Sequence, residues 1–433
     1  MDGRIYAEWA PLRKVFIHKP GIEMFFGLLN PSGSLYERPF SKSQARKEHD
    51  NLANALEKEF GVEVFHLKET ILDAADENPN IRQKLINFAY ESIDIKGTKK
   101  DVAKVWQNMI AEEKYLDAQH FFNILLLNPT FEISRKGEQT CVLNYRNHQP
   151  TANLFFMRDQ QFMTDKGIVL CNLHSKIRNR EPQITKFLWE EVLKIPIFAE
   201  IKHPGTIEGG EFIPMGNFAF VGIGSRTNQA AIDQLMALDF DYEEIAVVHQ
   251  PMHPLVSARQ PDAMINMHLD TYFNVAGKDI VIGSELLLKH AKVEIYHKQK
   301  VGFKKSSEKT TLFNYIKKKK LHLISLTTLE QLCYASNFLC IKDKKILAIE
   351  IEQGIKDIID NLEDKTRAQP TRYKRLLEQA KKDWNVLKKE ANVFPHKKEM
   401  YAAGIEVYPL ILKNLTGGFG GAHCMTCSLN RGL

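Results

Sequence analysis

Near the C-terminus, Gly417-Gly418-Phe419-Gly420-Gly421-Ala422-His423-Cys424 sets four glycines ahead of a His-Cys pair. Glycine accepts backbone angles that other residues avoid and lets a main chain come close to a ligand. A cysteine ending such a loop can be held at the edge of a pocket. Its thiolate is a nucleophile wherever polar neighbours favour the charge. The same loop, taken alone, also reads as a glycine turn with Cys424 an ordinary buried thiol. Cys424-x-x-Cys427 is half of a zinc or redox pattern, but no second C-x-x-C and no thioredoxin-like pattern accompany it.

Four other stretches place polar groups where apolar strands would otherwise run. Asn153-Leu-Phe-Phe-Met-Arg158-Asp159 puts a carboxylate directly after an aromatic run. Glu208-Gly209-Gly210-Glu211 sets two glycines between two acids, so the backbone can bend sharply there. Met267-His268-Leu269-Asp270-Thr271 stands at the head of an apolar segment, and strand alternation would put His268 and Asp270 on one face. Arg178 and Arg226, with Arg180 nearby, make a fourth group. Each has a plainer reading: a surface ion pair, a hairpin turn, a structural histidine, solvated arginines. As a set, a thiol, a histidine and several carboxylates suit a cationic planar substrate. A guanidinium is charged at neutral pH and offers five donors in a fixed fork, which carboxylates meet with charge-assisted hydrogen bonds. The histidine and the acids are scattered singly without ligand spacing, so neither metal nor cofactor is expected.

The elements that must position these groups follow an α/β rhythm. Residues 14–18 read as a strand, 43–60 as an amphipathic helix stopped at Gly61, and 62–67 as a second strand. Residues 70–127 are long, charged and helix-like with few strand signals. From about 150 strands and helices alternate again through 167–171, 183–194, 217–222, 228–238, 245–249, 271–275 and 279–282. Strands continue at 293–297, 321–325, 338–341, 345–351 and 405–410, a recurrence compatible with a repeated module. Residues 352–397 interrupt the rhythm with a helical stripe of Tyr373, Leu376, Leu377, Ala380, Trp384, Leu387 and Ala391 among lysines and arginines. That stripe packs on the body, or alternatively forms a basic helix for a membrane surface or an acidic partner.

The 433 residues are 44% hydrophobic and 26% charged, with a net charge of +6. That suits a sizeable core and does not call for nucleic acid; the lysine run 317–320 reads as a solvated face. No apolar run approaches the roughly 20 residues of a membrane span. The N-terminus lacks signal-peptide form, and the six cysteines are scattered, as in a reducing cytoplasm.

Taken in order, Arg13-Lys-Val-Phe-Ile-His-Lys-Pro-Gly21, Phe156-Met-Arg158-Asp159, Ile207-Glu208-Gly-Gly, Met267-His268-Leu-Asp270-Thr271 and Gly420-Gly-Ala-His423-Cys424-Met-Thr-Cys427 resemble the arginine deiminase family, guanidino-modifying enzymes of the pentein fold. The resemblance implies a five-fold pseudosymmetric α/β propeller of ββαβ-type modules formed by 1–69, 128–351 and 398–433. Residues 70–127 fall at the family's helical insertion, and 352–397 are an additional basic helical insertion. It implies hydrolysis of L-arginine to L-citrulline and ammonia. Cys424 would attack the guanidinium carbon, Asp159 and Asp270 would grip its nitrogens, and His268 would act as acid and then base, held by Glu208. Asn153, Arg178 and Arg226 match contacts to the amino-acid end of arginine.

One position departs from the family pattern. Five residues before the nucleophile the family commonly has an arginine, and here that position is Phe419. A lost charged hydrogen bond weakens carboxylate binding by roughly 1.5–3 kcal/mol. The same chemistry on agmatine, a methylarginine or a peptidyl arginine therefore stays open, as do amidino transfer and a non-catalytic binding module. The expected partner is a small guanidino compound, with no nucleic acid and no membrane; a homo-oligomer is allowed.

Overall fold

The structure is a computed structural model that describes residues 3–136, 140–145, 149–260, 262 and 265–432. Five of its sheets repeat one connection pattern, in which a central strand pairs antiparallel on one side and, on the other, parallel with a strand that follows it in the chain. In the first, Leu12–Ile17 lies between Cys427–Arg431, antiparallel, and Glu63–His66, parallel. Ile168–Leu170 lies between Gln161–Met163 and Ile197–Glu200, and Phe218–Ile223 between Phe212–Pro214 and Glu244–His249. Ile280–Gly283 lies between Phe273–Val275 and His322–Ser325, and Lys345–Ile349 between Leu339–Lys342 and Glu406–Leu410. A parallel neighbour needs a crossover, which explains the strand–helix–strand rhythm of the sequence. The first sheet joins the two chain ends, so the strand after Cys424 is anchored on the strand that opens the fold.

The Phe218–Ile223 sheet is widened by Lys292–Lys298 and Phe303–Thr311. Buried strands here read as continuous apolar runs, such as Phe-Ala-Phe-Val-Gly in 218–222, because both faces are covered. The helix Lys42–Asn54 starts where the Ser41 hydroxyl accepts from the Gln44 amide at 3.4 Å. It buries Ala45 and Leu52, and its buried Glu48 accepts from the Asn414 and Leu415 amides at 2.9 Å. That contact ties the helix to the start of the glycine loop.

Residues 67–127 form the helices Leu67–Glu77, Pro79–Glu91, Lys99–Glu112 and Ala118–Leu127. They also hold a short strand, Asp94–Lys96, that pairs with Thr130–Lys136 and was not foreseen. The later block is a hairpin of Ile355–Ala368 and Pro370–Glu390. The break falls at Gln369-Pro370 because proline has no amide hydrogen to donate to the preceding turn and suits a first helical position. Tyr373, Leu376, Ala380 and Leu387 enter the main core, with Leu377 and Trp384 packed at its edge. Ala391 leaves the stripe; it is the exposed left-handed residue that ends the helix. Lys374, Arg375, Lys381, Lys382, Lys388 and Lys389 face solvent. Among the described residues, no helix is long and apolar enough to cross a membrane.

Candidate active site

Cys424 sits between the 3-10 turn Leu415–Gly418 and the strand Cys427–Arg431. Its setting depends on Asn337. The Asn337 Oδ1 accepts from the amides of Gly421 at 2.8 Å and Cys424 at 3.1 Å, and its Nδ2 donates to the Cys424 sulfur at 3.1 Å. The loop glycines serve close approach rather than unusual backbone angles. A Cβ on Gly420 would lie 2.7 Å from the Phe156 ring and 2.9 Å from the Cys424 Cβ, and one on Gly421 would lie 2.8 Å from the Asn337 carbonyl. The residue in the left-handed region is Phe419, at φ 74°.

Behind the sulfur stand the acids. His268 Nε2 hydrogen-bonds Glu208 Oε2 at 2.7 Å, and its Nδ1 faces Asp159 Oδ1 at 3.9 Å. His268 and Asp270 are not alternate strand residues as expected. His268 precedes a 3-10 turn, Leu269–Thr271, and that turn swings Asp270 onto the sulfur, whose S–H donates to Asp270 Oδ2 at 3.5 Å. Gly210 is small for a physical reason: a Cβ there would lie 2.9 Å from His268 Nδ1 and 3.1 Å from both Asp270 oxygens. Asp270 Oδ2 is held by His423 Nδ1 at 2.8 Å. His423 leads on to Glu8 at 3.4 Å, which Arg431 meets at 2.7 Å. Asp159 Oδ1, Glu208 Oε1 and Asp270 Oδ1 are buried without a hydrogen-bond partner among the described residues.

These surroundings sort the protons. Burial pulls the His268 imidazole down, but the Glu208 hydrogen bond and the charge of Asp159 outweigh it and hold it up at about 9. For Glu208 burial works upward, and the His268 hydrogen bond and charge overcome it, leaving the carboxyl at about 2. Asp270 is likewise held low against burial, chiefly by His423. Burial, then the charges of Asp270 and Asp159, push the Cys424 thiol well above its ordinary range. Cys424 is therefore a neutral thiol beside an imidazolium. A cation placed between Asp159 and Asp270 offsets those charges and favours the thiolate.

A cavity of about 20 Å³ touches Cys424, His268, Asp159, Asn153, Arg178, Arg226 and Phe419. Glu208 and Asp270 lie directly behind its lining. It admits no more than a water, so the mouth must open for any larger ligand. A larger cavity of about 520 Å³ beside Glu91, Asn128 and Arg180 offers neither thiol nor histidine, so chemistry rather than size picks the site.

The two arginines differ. Arg178 is spent on acids: Nη1 donates to Asp159 Oδ2 at 2.8 Å, while Nε and Nη2 donate to Glu181 Oε2 at 3.0 and 2.8 Å. Two buried acids thus claim its fork in this structure, where the sequence suggested a contact to the amino-acid end of a substrate. Arg226 is buried at the cavity and has no hydrogen bond or ion pair among the described residues. The Asn153 Nδ2 donates to the Ser34 carbonyl at 2.8 Å. Asp159, Glu208 and His268 each bring a ligand-type atom within 4.8 Å of the others. Ligand spacing in the sequence therefore does not decide whether a cation fits here. In this structure Arg178 Nη1 supplies positive charge to the trio, at 2.8 Å from Asp159 and 3.7 Å from Glu208.

Several neighbours escaped the sequence reading. Asn337 and Glu181 carry no local signal. His423 was visible only as the residue before Cys424, and Glu211, which accepts from the Leu269 amide at 2.8 Å, only as the second acid of its motif.

The family model described as "Arginine deiminase" matches residues 33–431. The chain belongs to the arginine deiminase family. Among its relatives, an arginine deiminase of Halobacterium salinarum is 24% identical over 501 aligned positions, covering 98% of this chain and 96% of that protein. An arginine deiminase of Streptococcus agalactiae is 30% identical over 291 positions, covering 64% of this chain and 68% of its own. The N-terminal domain of ArgZ, a cyanobacterial arginine dihydrolase solved with its product, superposes with a TM-score of 0.51 at 12% identity, covering 96% of this chain and 97% of that one. AgrE, solved with ornithine and NAD+, gives a TM-score of 0.52 at 12% identity over 97% of this chain, which spans only 40% of AgrE. The fold is the α/β pentein type of these enzymes.

Proposed function

We propose that this arginine deiminase family member hydrolyses L-arginine to L-citrulline and ammonia through a cysteine-bound thiouronium. The observation that carries this reading is a pair of buried oxygens beside the Cys424 thiol, Asp159 Oδ1 and Asp270 Oδ1, that have no hydrogen-bond partner among the described residues. Buried acceptors without donors are unfavourable, and a guanidinium supplies N–H groups to both.

On binding, the substrate cation lowers the thiol's pKa and Cys424 loses its proton to solvent. The thiolate attacks the guanidinium carbon and forms an S–C bond. His268, charged at neutral pH, gives its proton to the leaving nitrogen as the C–N bond breaks and ammonia departs. Neutral His268 then takes a proton from water, whose oxygen bonds to the same carbon. The C–S bond breaks, the thiolate leaves, the water's second proton passes to solvent, where the released ammonia becomes ammonium, and the thiolate regains a solvent proton once the product has left. Glu208 keeps His268 oriented and favours its cation throughout.

We assign the substrate carboxylate to Arg226, the pocket cation with no hydrogen bond or ion pair among the described residues. Asn153 lines the same end, and Arg178 orders Asp159 and Glu181 around it. The engaged state of Arg178, together with Phe419, favours as a second reading a guanidino compound without a free carboxylate, such as agmatine or a peptidyl arginine. We further read the five like-connected sheets as a five-fold propeller of 1–69, 128–351 and 398–433, with 70–127 and 352–397 inserted. A reducing, cytoplasmic setting fits the five free thiols among the described side chains.

The test is to incubate purified protein with arginine, agmatine and an arginine peptide and to measure ammonia and ureido product, with Cys424→Ala alongside. Turnover of arginine that vanishes in the variant is expected. No turnover of any guanidino compound sinks the proposal, and turnover of agmatine or peptide alone selects the second reading.

A further inference from the structure

The pocket mouth is built from irregular pieces. Leu35, Met267, Gly418 and Phe419 form it, and they lie in irregular segments or single 3-10 turns. Two of them, Leu35 and Phe419, hold left-handed backbone at φ 60° and 74°. Bulky residues keep such angles only where surrounding contacts enforce them. The segments that flank these residues are tied to the hairpin Ile355–Ala368 and Pro370–Glu390, none of whose residues lines the pocket.

The first helix reaches the mouth through Glu37. Asn361 Nδ2 donates to Glu37 Oε1 at 3.0 Å, and Arg38 Nη1 donates to Glu37 Oε2 at 2.6 Å. The Glu37 amide donates to the Gly417 carbonyl at 2.7 Å, and Arg38 Nη2 to the Lys413 carbonyl at 2.9 Å. Asp357 pairs with Lys413 at 3.1 Å. The second helix works through Asp262, which precedes the His268 segment. Arg372 Nη2 and Tyr373 Oη both donate to Asp262 Oδ2, at 2.7 and 2.8 Å. Glu37 and Asp262 are nearly buried, with side chains 7% and 6% exposed, so losing one of these donors is costly for either acid.

We infer that the 355–390 hairpin is a positioning device for the pocket mouth, acting through Asn361 on Glu37 and through Arg372 and Tyr373 on Asp262. The inference rests on the guanidino-hydrolase reading of the site. Because the cavity of about 20 Å³ must open to admit substrate, whatever tethers its rim sets how readily it opens and how well it closes. Leu35, two residues from Glu37, is the rim residue nearest a tether, and Met267 and Phe419 lie five and six residues from Asp262 and Lys413. The hairpin thus acts on substrate affinity from outside the pocket.

Asn361→Ala and Tyr373→Phe test this, with Arg372→Ala, its conservative partner Arg372→Lys, and Lys381→Ala as a control. Lys381 pairs with Glu363 within the hairpin at 2.6 Å and touches no rim segment. Steady-state kinetics should show KM raised roughly three- to tenfold, as loss of one net hydrogen bond allows, with kcat nearly held. Alkylation of Cys424 by iodoacetamide, followed by peptide mass spectrometry, should quicken in the same variants. Arg372→Lys should recover most of both effects, and Lys381→Ala should leave both at wild-type values. Lower melting temperatures with unchanged KM and unchanged alkylation would overturn the inference, as would equal effects from Lys381→Ala. If Asn361→Ala does not fold, Tyr373→Phe, which removes one oxygen, decides. If the wild type turns over no guanidino compound, the activity reading fails separately, and the alkylation rates alone judge the hairpin.

Discussion

Two histidine–carboxylate pairs flank the same thiol, and they are built alike but face differently. His268 bonds Glu208 at 2.7 Å, and His423 bonds Asp270 at 2.8 Å. All four side chains are buried. His268, however, lines the cavity, and its second nitrogen looks toward Asp159 at 3.9 Å. The second nitrogen of His423 points away, to Glu8 at 3.4 Å, where Arg431 completes a buried ion network. Equal pairing chemistry thus serves two ends. The pair open to the cavity can exchange protons with a ligand. The closed pair fixes Asp270, whose free oxygen remains available. Identity of partners does not separate these roles; access does.

The sharpest way to break this comparison is substitution on both sides. His268→Gln should lower kcat by roughly 10²–10⁴-fold, the usual contribution of a general acid–base, while the protein stays folded. His423→Gln should act mainly by loosening Asp270, raising KM and lowering the melting temperature with a much smaller fall in kcat. Steady-state kinetics with calorimetry read both, and equal kcat losses at unchanged KM would erase the distinction.

A smaller effect concerns pH. With His268 at about 9 in the free enzyme, the alkaline limb of kcat/KM should fall near that value. Glu208→Gln removes the charge that raises it, so the limb should move toward lower pH. A profile that stays in place would show that Glu208 does not set the imidazole's protonation.

Stability should carry the same signature. His268 is raised in the fold from an ordinary 6.5 to about 9. Its stabilising contribution is therefore full below pH 6.5 and is lost as pH rises through 9. Glu208 is lowered from 4.5 to about 2, so its contribution is present above 4.5 and is lost as pH falls through 2. Denaturant titrations of wild type and His268→Gln should converge toward pH 10 and separate near neutrality.

The smallest change expected is at the rim. Phe419→Arg introduces a cation beside Arg226 and should lower KM for arginine by about tenfold, as a charged hydrogen bond permits, while leaving agmatine unaffected. An equal shift for both substrates would mean that the side chain is not reading the carboxylate.

Much of this chain is local in character and so was readable from its residues. Apolar periodicity marked the strand at 14–18, the capped helix beginning near 43 and the α/β rhythm beyond 150, because backbone hydrogen bonding and burial act over a few neighbours. Polar groups interrupting that rhythm at 159, 208, 268 and 424 singled out the set that the fold brings together, for the same reason. Other features depend on partners far apart in the chain. Asn337 holds Cys424 across 87 positions, and Asp270 meets His423 across 153. Arg178 turned to buried acids, where either a carboxylate or a ligand could have claimed its fork. The glycines of the nucleophile loop proved to be sites where a Cβ has no room, while the left-handed turn fell to Phe419. Residue types and spacing determined which chemistry the chain can host. Only the tertiary structure decided which acid faces which base, because packing assigns each buried donor to a single acceptor.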